Sequence, residues 1–353
     1  MTAKEMTART PSDIRAYRAE NPKLRERDIA ANLGVSEAAL VAAEVGISAI
    51  RIDASPNRLL ERAPELGEVM ALSRNESAVH EKIGVYENIQ IGEKTSLTLG
   101  ANIDLRIFNW VWAHAFAVTK TDGETVRHSL QYFDKSGEAV HKVHLRATSD
   151  LEAYEKIVAD FRLDDQSQDF VAEPFTKLSS GRKAGFDVNE LRDAWSKLTD
   201  THEFFGMLKK LDIDRQSAVQ HVGEDYAWKL ADGAAEEFFR KSAETQMNLM
   251  CFVGNKGIVQ IHTGPVSNIQ VMGPWVNVMD PTFHLHLRAD HIVEAWAVRK
   301  PTKDGHVTSV EAYDKEGEMI IQFFGKRKEG NTEMSEWRDL VEGLSTTKTA
   351  EAA

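Results

Sequence analysis

The chain has 353 residues, with 43 Lys or Arg and 55 Asp or Glu, and its formal net charge is -12. An acidic chain repels nucleic-acid phosphates, so a general nucleic-acid binder is disfavoured. The single cysteine, Cys251, excludes an intrachain disulfide framework and any zinc site that needs two cysteines of one chain.

The N-terminal part is predicted to be helical. Apolar residues recur at helical spacing over 12–19, 26–33 and 36–45, and Ser12 and Ser36 stand where N-caps are expected. The last two segments resemble a helix-turn-helix in their spacing. However, the second of them offers no Arg, Lys, Asn or Gln to read base edges, which favours a helical hairpin that packs on the rest of the fold.

The segments that follow are predicted to be strands. They are rich in β-branched and aromatic residues and cover 79–84, 90–99, 105–108, 112–121 and 125–133. Asp122-Gly123 and Ser136-Gly137 are typical hairpin turns. Strands joined by short turns form antiparallel meanders rather than βαβ units.

The chain repeats itself at an offset of about 180 residues. Segment 88–90 (NIQ) recurs at 268–270, and the turn 133–138 recurs at 313–318. The second copy also begins with helical segments, at 189–198, 201–211, 215–222 and 234–243. We therefore predict an α+β fold made by tandem duplication, in which each half is a large antiparallel sheet packed with helices.

The repeat also predicts the boundaries of the domains. The N-terminal repeat spans 1–161 and the C-terminal repeat spans 187–345. Polar runs within 162–186 predict an interdomain linker. The last residues, 346–353, are predicted to be a disordered tail.

One strand face of the first copy combines a charge with an aromatic ring. Alternation along the strand puts Asp104, Arg106 and Phe108 on the same face. A guanidinium beside a phenyl ring could hold a flat anionic ligand. An Arg–Asp pair on a solvated face would give the same pattern.

The second copy carries different side chains at the equivalent positions. They are His284, His286 and Arg288. Two histidines on one strand face could ligate a metal, but no third ligand stands at a telling spacing, so ordinary sheet-face histidines are the competing interpretation. This divergence between the copies would suit one working site or two unlike ones.

His202 is the histidine best placed to be a ligand. It lies in the predicted first turn of a helix that Asp200 or Thr201 would cap, and Phe204 is close by. An imidazole beside aromatic residues is what an axial haem position requires, and a helix N-terminus disfavours protonation of the ring. A partly exposed histidine at a helix start is the competing interpretation.

Five segments together are similar to one family. They are 103–108 (IDLRIF), 201–208 (THEFFGML), 273–280 (GPWVNVMD), 283–300 and 325–327 (GKR). Through them the chain resembles the bacterial haemin-degrading and haem-trafficking factors of the HemS/ChuS type, from about Ile14 to Gly330. The resemblance implies two similar halves and a haem b ligand bound in a cleft.

The resemblance also implies roles for individual residues. It makes His202 the axial ligand of the haem iron, with Arg106 on the other face and Phe108 near the ring. If the ring is oxidised, Arg106 is the expected catalytic hydrogen-bond donor.

Further residues are implied at the propionates of haem. Lys300 and Arg327 match the basic residues that hold them, and Gln322 is a further pocket candidate. Where some relatives carry a tyrosine, this chain has Phe324, so one propionate contact is in doubt.

The implied function is that of a cytoplasmic haem-binding protein of bacterial haem uptake and iron acquisition. The same pocket would serve an atypical haem oxygenase that releases iron or a chaperone that delivers haem to a separate oxygenase. No flavin or nicotinamide motif is visible, so electrons would come from a partner or a chemical reductant. The expected partners are a haem importer, a haem oxygenase or an electron donor, with no membrane span.

Overall fold

A computed structural model of the chain describes residues 9–173, 185–327 and 332–347. Within these ranges it contains two nine-stranded antiparallel sheets packed with helices, as the sequence predicts. The predicted linker and tail fall partly on 174–184 and 348–353, which lie outside the described residues.

Helices and strands alternate in the same order in both copies. The helices are α1 (Pro11–Glu20), α2 (Glu26–Leu33), α3 (Glu37–Ala42), α4 (Pro56–Arg62), α5 (Leu151–Phe161), α6 (Val188–Ser196), α7 (Glu203–Leu211), α8 (Arg215–His221), α9 (Ala234–Glu244) and α10 (Ser335–Glu342). The strands up to the middle of the chain are β1 (Ala49–Ile52), β2 (Val69–Arg74), β3 (Ala78–Gly84), β4 (Ile89–Gln90), β5 (Thr95–Leu99), β6 (Asp104–Phe108), β7 (Trp112–Asp122), β8 (Thr125–Asp134) and β9 (Ala139–Leu145). The remaining strands are β10 (Ala227–Lys229), β11 (Leu249–Gly254), β12 (Ile258–Gly264), β13 (Ile269–Met272), β14 (Trp275–Met279), β15 (Phe283–Arg288), β16 (Glu294–Thr302), β17 (Gly305–Tyr313) and β18 (Met319–Gly325).

The chain forms two compact units. Of the described residues, the first unit takes 9–73, 83–173 and 255–259, and the second unit takes 74–82, 185–254, 260–327 and 332–347. Each unit thus includes a short segment from the other copy of the repeat. No helix among the described residues is both long and apolar enough to cross a membrane.

Strand order within the units repeats as well. The first unit has the order β1-β7-β8-β9-β2, and the second unit has β10-β16-β17-β18-β11. Ala49 pairs with Val118 between β1 and β7, and Ala227 pairs with Val298 between β10 and β16. Equivalent residues therefore occupy equivalent registers.

Helix ends follow from local side chains, with one correction to the prediction. The N-cap of α1 is Thr10 and not Ser12, because Pro11 has no N–H to be capped and Thr10 accepts the N–H of Asp13. Ser36 caps α3 as predicted. Helix α2 ends at Gly34, whose φ of 67° is left-handed and favours glycine.

The predicted strand 90–99 is two strands, β4 and β5. The chain turns between them at Gly92, whose N–H donates to the hydroxyl of Ser96 at 3.1 Å. The Asn109 amide closes the turn by donating to the Gly92 carbonyl at 2.8 Å. The β-branched and polar composition of 90–99 concealed this turn, which Gly92 marks locally.

Each unit has its own core. In the first unit Leu60, Leu130 and Ile157 are buried between the sheet and its helices. In the second unit Phe238 packs on Phe323 with ring centroids 4.5 Å apart. Burial of such side chains is the main term that holds helices on these sheets.

Candidate functional site

His202 lies immediately before α7, at its N-cap position, and not in the first turn as the sequence predicted. The chain just before the helix is held by Glu203, whose carboxylate accepts the N–H groups of Thr199 and Asp200 at 2.8 and 3.2 Å. The His202 side chain is 93% exposed. An imidazole in this place is open to a ligand from solvent.

Asp200 fixes the orientation of that imidazole. Its Oδ1 accepts the backbone N–H of His202 at 2.8 Å and lies 2.7 Å from the ring Nδ1. These two hydrogen bonds lower the pKa of Asp200, and the nearby charge of Arg327 adds to the effect. Since a carboxylate accepts only, Nδ1 is the ring donor, and Nε2 is the ring nitrogen left to face a ligand.

Two aromatic rings stand beside His202. Phe204 is buried, whereas Phe205 is 66% exposed. The Arg215 guanidinium lies over both rings, at 5.1 and 5.6 Å from their centroids. The exposed Phe205 ring gives the surface near His202 an apolar patch, which a hydrophobic ligand requires.

Lys300 lies on β16 and is buried. Its ammonium is 3.0 Å from Oε1 of Glu311 and 4.7 Å from the centroid of the Phe204 ring. Burial lowers the pKa of Lys300 to about 8, although Glu311 acts to raise it. The ammonium is therefore charged at neutral pH and already paired.

Glu311 on β17 is the centre of this buried group, and the sequence did not single it out. Arg215 holds its two oxygens at 2.8 and 2.6 Å. Gln322 donates to it at 2.8 Å, so Gln322 and Lys300 meet at one carboxylate. Although burial acts to raise it, Arg215 and Lys300 hold the pKa of Glu311 well below its ordinary value.

A signal for Glu311 does exist in the sequence. It stands at an inward position of a strand whose next residue, Ala312, is also buried, and whose partner strand brings Gln322 opposite it. A carboxylate at such a position requires buried cations. Pattern alone could not identify them, because Arg215 lies 96 residues away on a helix.

Arg106 and Phe108 belong to the first unit. The half-buried pattern of β6 confirms that they share a face with Asp104. Nη1 of Arg106 donates to Oδ1 of Asp104 and, at 3.2 Å, to the carbonyl of Leu105. Phe108 lies 5.5 Å from the ring of Trp110, which is 68% exposed.

The matching face of the second unit has a different chemistry. Nδ1 of His284 lies 3.2 Å from Oε2 of Glu81, and Nδ1 of His286 lies 2.7 Å from Oδ1 of Asn277. Within the part of the chain that the structure describes, no three His, Cys, Asp or Glu side chains are grouped to hold a metal ion. Each of the two imidazoles contacts a side-chain oxygen of a neighbouring strand.

Comparisons with known proteins agree on one family. The model of the haemin-degrading HemS.ChuX domain matches residues 34–161 and again 212–344. The hemin transport protein HmuS of Yersinia pestis is 37% identical over 328 residues, which are 93% of this chain and 94% of that protein.

Solved structures give the same result for the fold. Holo-PhuS, a heme-binding protein from Pseudomonas aeruginosa, is 41% identical and superposes with a TM-score of 0.91 over 96% of this chain and 100% of its own. ChuS, a heme-degrading enzyme of Escherichia coli O157:H7, is 33% identical with a TM-score of 0.86, over 94% of this chain and 99% of its own. The duplicated fold is thus shared over at least 94% of the chain.

Proposed function

Because the chain belongs to the family defined by the haemin-degrading HemS.ChuX domain, we propose that it binds haem through His202 in the service of bacterial haem utilisation. The observation that carries the role of His202 is its exposed imidazole, held through Nδ1 by Asp200. In this orientation Nε2 is the atom that would ligate the iron.

The residues around His202 fit the rest of a haem molecule. Phe205 offers an exposed ring to the porphyrin, which is a hydrophobic disc. We assign Arg327, whose charge acts on Asp200, to a propionate. Lys300 and Gln322 are assigned to the propionate side as well, through the buried carboxylate that they share.

The proposal extends to ring cleavage, which would release iron. We assign Arg106 to hydrogen bonding at the reacting side of the bound haem and Phe108 to contact with the ring. Haem supplies the redox chemistry when bound, while this chain positions it and supplies hydrogen bonds. Electrons would come from a partner protein or a chemical reductant.

A non-catalytic carrier is the second candidate. Its support is that one relative is described as a transport protein and another as a heme-binding protein, while ChuS is described as a degrading enzyme. A carrier would deliver haem to a separate oxygenase. In either role we propose a cytoplasmic location, and the single buried cysteine is compatible with a reducing compartment.

The proposal is tested by absorption spectroscopy of His202→Ala with added haemin. We expect a shifted Soret band and weaker binding, because an imidazole ligand is lost. His221→Ala is the matched control, since His221 is also exposed and lies in the same unit. An unchanged spectrum of His202→Ala would overturn the assignment.

Enzyme and carrier are separated by incubating the haem complex with a reductant and catalase. Loss of the Soret band with an open tetrapyrrole and free iron identifies the enzyme, whereas a stable band identifies the carrier. Arg106→Ala should bind haem normally and degrade it more slowly. The exposed Arg127→Ala, in the same unit, should degrade it at the wild-type rate.

A further inference from the structure

Glu311 accepts more hydrogen bonds than a carboxylate can hold well. Six donor atoms surround it: Nε and Nη2 of Arg215 at 2.8 and 2.6 Å, Nζ of Lys300 at 3.0 Å, Oγ of Ser309 at 2.7 Å, Oη of Tyr313 at 2.5 Å and Nε2 of Gln322 at 2.8 Å. A carboxylate offers about four lone-pair sites. One donor can therefore leave while Glu311 remains fully hydrogen-bonded.

Lys300 is the donor that a second carboxylate would attract, because it carries a charge and holds Glu311 through one contact only. Its contact with Glu311, at 3.0 Å, is the longest of the six. Arg215 makes two contacts in the favourable bidentate geometry and stays on Glu311 more strongly. Without Lys300, the carboxylate and the guanidinium form a balanced pair.

The group around Glu311 carries an unbalanced charge. Two cations share one carboxylate, and Tyr313 stays neutral because burial raises its pKa well above the ordinary value. The groups around the Lys300 ammonium are Glu311 and Ser309 from β17, at 3.0 and 3.4 Å, the Phe204 ring from α7 and the charge of Arg215 from α8. A net positive charge thus lies under the first turn of the helix that follows His202.

We propose that Glu311 is a positioning residue for a ligand carboxylate: it holds the Lys300 ammonium charged in the unliganded chain and releases it to a propionate when haem binds. This inference rests on the proposed function, because it assumes that haem is bound at His202. In this way Lys300, although buried and paired, could still bind a ligand carboxylate.

The exchange gives haem binding a pH dependence with a defined sign. Lys300 must carry its proton to attract a carboxylate, and its pKa in the unliganded chain is about 8. The part of the affinity that comes from this lysine is present below that pH and is lost as the pH rises through it. Since Glu311 acts to raise the pKa of Lys300, loss of its charge moves the transition to lower pH.

The test compares haemin with its dimethyl ester, which lacks both carboxylates. The affinity for haemin is divided by the affinity for the ester, both measured from pH 6 to pH 9.5 by Soret titration. This ratio isolates the contribution of the ligand carboxylates. In the wild type we expect this ratio to fall about tenfold per pH unit above pH 8 until the contribution is gone. In Glu311→Gln we expect the fall to begin at least about one pH unit lower.

Glu333→Gln is the matched control. Glu333 is also a buried glutamate of the second unit, but it pairs with Thr308 and Arg338. Its variant should keep the wild-type profile. If Glu311→Gln keeps that profile too, the inference is wrong.

Lys300→Met keeps the inference testable if Glu311→Gln fails to fold. It leaves Arg215 and Glu311 as a balanced pair, and we expect a lower ratio that no longer changes near pH 8. A ratio for Lys300→Met that still falls near pH 8 would overturn the inference. A failure of the proposed function looks different, because then neither haemin nor the ester would give the His202-dependent Soret band.

Discussion

The two copies of the repeat carry different charges where helices meet the sheet. In the second unit Arg215 and Lys300 share one carboxylate, Glu311. In the first unit the matching positions hold Glu37, Lys120 and Gln131. Lys120 and Arg18 share Glu26, but Arg18 also pairs with Glu44, and Lys142 pairs with Glu37, so these cations and carboxylates are equal in number.

The difference extends to the ligand position. The position that matches His202 in the first unit is Leu24, which is 38% exposed. The first unit thus has neither the imidazole nor the unbalanced cation. The two copies thus share one scaffold, and the side chains at these matching positions distinguish the second copy from the first.

The largest expected difference between the copies comes from removing the central side chain of each one. Glu311→Ala leaves two buried cations without a carboxylate, and we expect it to lower the free energy of unfolding by about 3–5 kcal/mol. Gln131→Ala, at the equivalent position, removes a neutral amide that donates to Ser129 and should cost about 1 kcal/mol. Urea unfolding of the full chain measures both, and equal losses would show that the charges do not distinguish the copies.

Buried histidines provide a contrasting case, in which the two units should behave alike. Burial lowers the pKa of His141 in the first unit and of His262 in the second to about 3. In the unfolded chain each has an ordinary pKa of about 6.5, so the stability that each contributes is full above that pH and is lost as the pH falls toward 3.

The measurement compares the free energies of unfolding at pH 7.5 and pH 4.5. Each buried imidazole should account for about 2.7 kcal/mol of the loss between these values. His141→Gln and His262→Gln should each reduce that loss by a similar amount, while the exposed His221→Gln should leave it unchanged. If only one of these two variants reduces the loss of stability between pH 7.5 and pH 4.5, the cores of the two units differ as well.

Asp200, which orients His202, allows the difference between the copies to be tested at the proposed iron ligand itself. Asp200→Asn keeps the shape but weakens the hydrogen bond to Nδ1, and we expect haem affinity to fall 10- to 100-fold. Titration with haemin measures the loss. Asp193→Asn, another exposed aspartate of the second unit that pairs with Lys197, should bind as the wild type does. Equal affinities of all three proteins would show that Asp200 does not prepare the ligand.

The sequence predicted much of this fold because the repeat reports the same pattern twice. The N-cap at Ser36 depends on neighbouring residues, which a sequence displays directly. The same is true of the strand face that Asp104, Arg106 and Phe108 share. The Glu311 group could not be predicted in this way, since its members come from α8, β16, β17 and β18. The sequence identified His202 as a candidate ligand but did not predict its N-cap position. That position depends on the backbone hydrogen bonds that Glu203 and Asp200 accept before the helix.

The smallest expected effect concerns Lys120, the first-unit counterpart of Lys300. Its side chain is 52% exposed, and its pair with Glu26 is screened by solvent. Lys120→Met should change the free energy of unfolding by less than about 1 kcal/mol and leave haem affinity unchanged. Urea unfolding and haemin titration test both statements. A lysine at the same strand position would then matter in one copy and not in the other, because Lys300 is buried whereas Lys120 is half exposed. A large effect at Lys120 would instead assign the importance to the strand position that both copies share.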